Sequence, residues 1–375
     1  MRLFINAISI EKGGAEQVAL SVIHECRAFP ENEYHIALRD NISSQILEKE
    51  YPENFLFHHF SERPGEGVQQ YRRVIRQLNN LENRVKPDCV ISTGGHGYWK
   101  PKNTPVMGGF NIPHYIYPES PYFKKLSIRK QIYWFVMKRI HMSFYRQLDA
   151  IFVQTDDVKQ RLKNLLSDNQ SIHTVPNTIN QYFLHGSVSS ESKLSPAGNG
   201  EVRLLTLSSY YQHKNHEFIA KVASYLKEKG EIRFKFVVTL PDSIYQSLFY
   251  ECKDMVVNVG KVAASECPAL YRECDFMFLP TLLECFSASY AEAMAMNKPI
   301  ITSDLGFAHA VCGDAAEYID PTNPKQSGDC IVSLAADTHR QQQLIERGQK
   351  KMSGFGSARK RAEELLRLCN EISAN

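Results

Sequence analysis

A chain of 375 residues, 43% of them hydrophobic, has enough apolar material to enclose two cores of ordinary domain size. Its 44 Lys and Arg against 41 Asp and Glu leave a formal net charge of +3, a poor match for a nucleic-acid binder without a recognisable module. Nine cysteines, an odd number with no close Cys-x-x-Cys pair, fit reduced, buried cytosolic thiols better than a disulfide framework or a metal cluster.

The first element is a short strand, Arg2-Leu-Phe-Ile-Asn6, entered directly from Met1, so no secretory leader is expected. Gly13-Gly14-Ala-Glu16 then opens a helix, where glycines let the backbone approach a ligand and turn N–H groups toward an anion. Neither this loop nor Gly94-Gly95-His96-Gly97 has the GxGxxG spacing of a dinucleotide fingerprint, which counts against a nicotinamide oxidoreductase. A strand ending at Ser92, a loop with His96 and a second strand over Pro105–Phe110 lead to Asn111 and His114.

Lys124 to Arg146 holds seven basic and no acidic residues and is expected to be helical. Its aromatic and Met residues can bury in the domain or dip into an anionic membrane surface while Lys and Arg snorkel, but the run is too charged to span a bilayer. A strand at Ala150–Val153 follows, and the Ser, Gly, Pro and Asn content around 183–199 reads as a linker. Beyond it come a strand from Val202 to Leu207, the loop from Ser208 to Asn215 with Lys214, and a helix to about Lys229.

Cys274-Asp-Phe-Met-Phe-Leu279 is a continuous apolar run closed by Pro280, as expected of a parallel strand buried on both faces. Glu284 therefore falls in a loop at a strand's carboxyl end. A helix follows from Ser287, with Ser287 or Ser289 as its N-cap, and it stops near Lys298-Pro299. Glu292, eight residues after Glu284, lies about one turn inside it. A diphosphate fits the helix start over Phe286 to Ser289. Behind it Glu292 can accept hydrogen bonds from two ribose hydroxyls, while Glu284 can reach the group on the far phosphate. The implied ligand is a nucleoside diphosphate carrying a hydroxyl-rich group.

Glu284-Cys-Phe286 followed by Glu292-Ala-Met resembles the E-x7-E signature of the retaining nucleotide-sugar glycosyltransferases of family 4. The resemblance covers roughly residues 2 to 325 and is least specific between 40 and 150. It implies an α/β GT-B fold: two Rossmann-like domains whose parallel sheets face across a cleft. The acceptor domain would span 1–182 and the nucleotide-sugar domain 200–355, with a final helix near 356–375 returning to the first. It further implies that Glu284 positions the donor sugar and Glu292 the ribose. Gly13 and Gly14 would lie beside the donor phosphate, and Lys214 would neutralise the leaving diphosphate. Ser209 and Val262 occupy further donor-side positions. The family's companion arginine is missing, with Ser208 and Ser209 in its place, which leaves diphosphate stabilisation thinner than normal unless Arg203, His213 or a residue from the other domain compensates. Asn111 stands nearest the family histidine position, so His114 is the first choice for the active-site imidazole and His96 the second.

The expected activity is transfer of a sugar from a nucleoside-diphosphate sugar to a hydroxyl acceptor, a glycan or a lipid-linked one, with retention. No cofactor is expected, since no DxD metal motif exists. The expected setting is surface polysaccharide or lipopolysaccharide synthesis, in the cytoplasm or peripherally at the inner face of the plasma membrane. A non-catalytic nucleotide-sugar-binding or partner subunit is the alternative.

Overall fold

A computed structural model describes residues 1–10, 14–65, 67–166, 170–183 and 192–374. Gly13 and the middle of the expected linker lie outside them. The chain divides into two compact units, one of Met1–Ile116, Ser127–Thr178 and Gly356–Asn375, the other of Tyr117–Leu126 and Ile179–Phe355.

The first unit is built on seven strands: β1 (Arg2–Asn6), β2 (Glu33–Arg39), β3 (Phe55–Phe60), β4 (Cys89–Ser92), β5 (Val106–Gly109), β6 (Ala150–Val153) and β7 (Ser171–Thr174). All pairings are parallel, in the order β3-β2-β1-β4-β5-β6-β7. Every residue of β4, β5 and β6 is buried, as expected where helices cover both faces of a parallel sheet. The helix Ala358–Ser373 lays Leu365, Leu366, Leu368 and Cys369 into the core that also holds Leu3 and Ile5.

The second unit has six parallel strands: β8 (Val202–Thr206), β9 (Phe234–Val238), β10 (Val256–Asn258), β11 (Phe276–Leu279), β12 (Ile300–Ser303) and β13 (Ala316–Ile319). Their order is β10-β9-β8-β11-β12-β13. Successive strands step outward one way from β8 and the other way from β11. The loops leaving those two neighbours therefore part to opposite sides, and the crevice between them is where such sheets receive ligands.

The expected first domain included residues 117–126, and here the structure differs. Ser120 Oγ donates to the carbonyl of Leu282 at 2.5 Å and Lys125 Nζ to Asn215 Oδ1 at 2.5 Å. This stretch is consequently part of the second unit, although its flanking residues belong to the first. All nine cysteines are free, and all but Cys330 are buried.

Candidate functional site

The carboxyl ends of β8 and β11 bring two distant loops together. Beyond β8, residues Gln212–Lys214 form a single 3-10 turn that ends at Asn215 in the left-handed conformation, φ 61°. Asn tolerates that geometry better than most residues, and its side chain uses the position. Fully buried, Asn215 donates from Nδ2 to the carbonyls of Pro280 and Pro321, at 3.0 and 3.1 Å, while its Oδ1 accepts from Lys125. The turn is thus pinned to the end of β11. The backbone N–H of Leu282 adds a bond to the His213 carbonyl at 2.7 Å.

That clamp sets Lys214 against Glu284, with Nζ to Oε1 at 2.5 Å and side chains 14% and 11% exposed. Thr281 Oγ1 lies 3.0 Å from the same Glu284 oxygen and 3.1 Å from the His213 carbonyl, so its single proton serves one acceptor at a time. The His213 ring, half-buried and stacked on Tyr211, has its pKa lowered chiefly by burial; the Glu284 carboxylate opposes that shift and the Lys214 ammonium adds to it.

Helix Ala288–Ala295 begins directly after Glu284-Cys-Phe286-Ser287. Ser287 has the extended backbone of an N-cap, yet its hydroxyl caps no N–H; Ser289 instead donates to the Leu207 carbonyl at 3.3 Å. The expected serine cap is therefore absent, which leaves first-turn N–H groups for an anion. One turn in, Glu292 Oε2 lies 3.2 Å from the hydroxyl of Tyr271, a fully buried side chain from the preceding helix. Burial pushes the Glu292 carboxyl up to about 7, against the opposing pull of the Tyr271 hydroxyl and the Lys214 charge. Lys214, Glu284, Glu292 and the Ser287 helix start thus form one cluster. Phe286, half-buried, packs edge-on against Phe355 at 6.0 Å.

Other expected residues stand elsewhere. Ser209 is exposed on the β8 loop, while Ser208 Oγ is 3.1 Å from His216 Nε2. Val262 follows β10, in a loop entered through Gly260 at φ 72°. Arg203 does not compensate for the missing arginine. It sits at the amino-terminal half of β8, where its guanidinium binds Glu201 and the Ser195 carbonyl. In the first unit, Gly14 opens helix Gly14–Glu25 after β1. Asn111 is exposed after β5, and the His114 ring stacks on Trp134 with centroids 3.8 Å apart.

His96, the second-choice imidazole, is an interior residue. It is 3% exposed, stacked on Phe144, flanked by Tyr98, His141 and Tyr145, and its Nδ1 accepts from the Tyr98 N–H. Burial lowers its pKa to about 3. Because the unfolded chain binds that proton more readily, the stability contributed is fully present above pH 6.5 and is lost as pH falls toward 3. At pH 5 the loss is about 2 kcal/mol. Urea titrations at pH 7.5 and 5 should show this acid penalty reduced by roughly that amount in His96→Phe; an equal penalty in both proteins would contradict the buried-neutral assignment.

Sequence reasoning missed Asn215, Thr281, Tyr271 and Lys125. An Asn directly before a helix in a strand-to-helix loop was a usable signal for the first. Nothing local announces the other three, whose partners lie on other elements.

Residues 190–351, most of the second unit, match the family Glycosyl transferases group 1. The O-antigen chain mannosyltransferase RfbU of Salmonella typhimurium is 25% identical over 229 residues, 60% of this chain and 59% of that protein. The matched stretch thus spans less than two thirds of that relative. A glycosyltransferase from Rickettsia africae superposes with a TM-score of 0.72 at 15% identity, covering 100% of this chain and 99% of that one. Anabaena HepE in complex with UDP and glucose gives a TM-score of 0.72 at 13% identity, over 99% and 100% of the two chains. The chain has the GT-B fold, and within its second unit residues 190–351 are similar to the glycosyl transferase group 1 family.

Proposed function

We propose that the protein transfers a sugar from a nucleoside-diphosphate donor to a hydroxyl acceptor with retention of anomeric configuration, without a metal. The observation that carries this reading is the Lys214–Glu284 pair at the β8/β11 crevice, one helix start away from Glu292. Glu292 holds the ribose hydroxyls, the uncapped helix start receives the diphosphate, and Glu284 orients the sugar. As the sugar–phosphate bond breaks, charge gathers on the leaving diphosphate and Lys214 balances it. The acceptor oxygen bonds to the anomeric carbon on the face the diphosphate leaves, and its proton passes to the departing phosphate oxygen. His114 is the proposed imidazole of the first unit, and Gly13 and Gly14 the proposed phosphate-side loop. Phe286, Ser209 and Val262 complete the proposed donor side.

The similarity to RfbU, an O-antigen chain mannosyltransferase, supports an acceptor in surface polysaccharide or lipopolysaccharide synthesis. Among the described residues no helix is long and apolar enough to cross a membrane.

The test is a panel of nucleoside-diphosphate sugars with candidate glycan acceptors, following diphosphate release and the product's anomeric coupling by NMR. Acceptor-dependent release, unchanged by EDTA, with the donor's anomeric configuration in the product is expected. An inverted product removes the retaining mechanism. Donor binding with no release in any pairing favours a non-catalytic subunit, the reading that the missing arginine supports.

A further inference from the structure

The helix Ile128–Tyr145 is oriented against the usual rule for a surface helix. Ile128, Ile132, Val136 and Ile140 recur every four residues and are 69%, 57%, 46% and 43% exposed. This spacing places them along one side, roughly 18 Å from first to last. The other side is consumed by the first unit. Met142 and Tyr145 are buried, Lys138 Nζ donates to the Tyr115 carbonyl at 2.8 Å, and His141 bonds the Tyr98 and Tyr115 hydroxyls through its two ring nitrogens. A lysine and a histidine thus face inward while four β-branched aliphatics face solvent, with Phe135 beside them at 58%.

Such a stripe needs a cover, since contiguous exposed apolar surface marks an interaction site. The flanking charge identifies the kind of cover. Arg129, Lys130 and Arg139 are exposed on the same helix, and residues 120–148 contain no Asp or Glu. The Arg139 guanidinium lies 4.8 Å from the Phe135 ring centre. A second copy packed on this stripe would set these cations against their own counterparts. A bilayer rich in anionic lipid satisfies both features at once, accepting the aliphatic side chains below its headgroups and pairing the cations with phosphates.

We infer that helix Ile128–Tyr145 lies in the plane of an anionic membrane, with the Ile128–Ile132–Val136–Ile140 stripe inserted below the headgroups. The inference is independent of the sugar-transfer reading, because docking needs neither donor nor acceptor.

Cosedimentation of the full chain with vesicles tests it, using phosphatidylcholine alone and phosphatidylcholine with about 30 mol% phosphatidylglycerol. Binding to the anionic vesicles should exceed binding to neutral ones at least about ten-fold and should weaken in high salt. Ile132→Ser/Val136→Ser should lower the partition constant about ten-fold or more with an unchanged melting temperature, as both residues are exposed. Arg129→Gln/Lys130→Gln should weaken binding to anionic vesicles alone. The inference is overturned if the protein ignores anionic vesicles, if the serine variant binds as tightly as the parent, or if the stripe instead drives a dimer that the serine variant abolishes.

Discussion

Replacing Lys214 with alanine is expected to lower kcat about 100- to 1,000-fold while changing the donor KM less than about ten-fold. The asymmetry follows from the ligand-free geometry. Lys214 already has a carboxylate partner 2.5 Å away, so an incoming diphosphate must share the ammonium with Glu284 and gains only part of its charge on binding. Full charge develops on the diphosphate when the glycosidic bond breaks, and that is when the ammonium acts most strongly. No arginine supplements it in the β8 loop, because serines stand there and Arg203 is committed to Glu201 and Ser195. Steady-state kinetics with saturating acceptor separate the two parameters. A variant keeping kcat within about three-fold of the parent would remove Lys214 from the chemistry.

The same substitution has a structural cost that must be measured alongside. Removing the cation from a largely buried pair leaves the Glu284 carboxylate uncompensated, typically at about 3–5 kcal/mol. Lys214→Ala/Glu284→Gln removes both charges and should recover most of that stability but none of the turnover. If the double variant regains activity with stability, the single variant's defect lies in folding.

Legibility in the sequence follows distance along the chain. The apolar run 274–279, closed by Pro280 and followed by small residues, marks a buried strand and a helix within twenty residues, and those elements place Glu284 and Glu292. The bond between Glu284 and Lys214 joins residues 70 positions apart, and no local period encodes it. The same holds for residues 117–126, whose place in the second unit depends on Ser120 meeting a carbonyl 162 positions away. Tyr271 and Glu292 meet through helix packing that neither segment announces. His96 looks like a free loop histidine among glycines, but Phe144 and Tyr145, some fifty residues later, close over its ring. In helix Ile128–Tyr145 apolar residues stand both in the Ile128–Ile140 stripe and away from it, at Met142 and Tyr145, so the pattern does not say which side turns inward. The hydrogen bonds of Lys138 and His141 decide it.

Glu292→Gln is expected to raise the donor KM about 30- to 100-fold, the loss of roughly 2–3 kcal/mol when a charged acceptor of two ribose hydroxyls becomes a neutral amide. The elevated pKa supplies a second signature. With its carboxyl raised to about 7, the folded protein binds this proton more tightly than the unfolded chain does. Folding stability from this group is therefore greatest in acid and declines as pH rises from the ordinary carboxyl range through 7. Donor binding runs the other way: protonation below 7 turns one acceptor oxygen into a donor, so the parent's KM should climb as pH falls from 8 to 6. The glutamine variant, which carries no titrating group here, should show a flat profile over that range. Its melting temperature at pH 8 should equal or exceed the parent's, because a carboxylate costly to ionise in its half-closed setting has been replaced by a neutral group. A rise in KM combined with a flat pH profile and preserved melting assigns the ribose contact to Glu292. An unchanged KM, or a KM that rises only together with a fall in melting temperature, would reduce Glu292 to a support for Tyr271 and the helix it packs against.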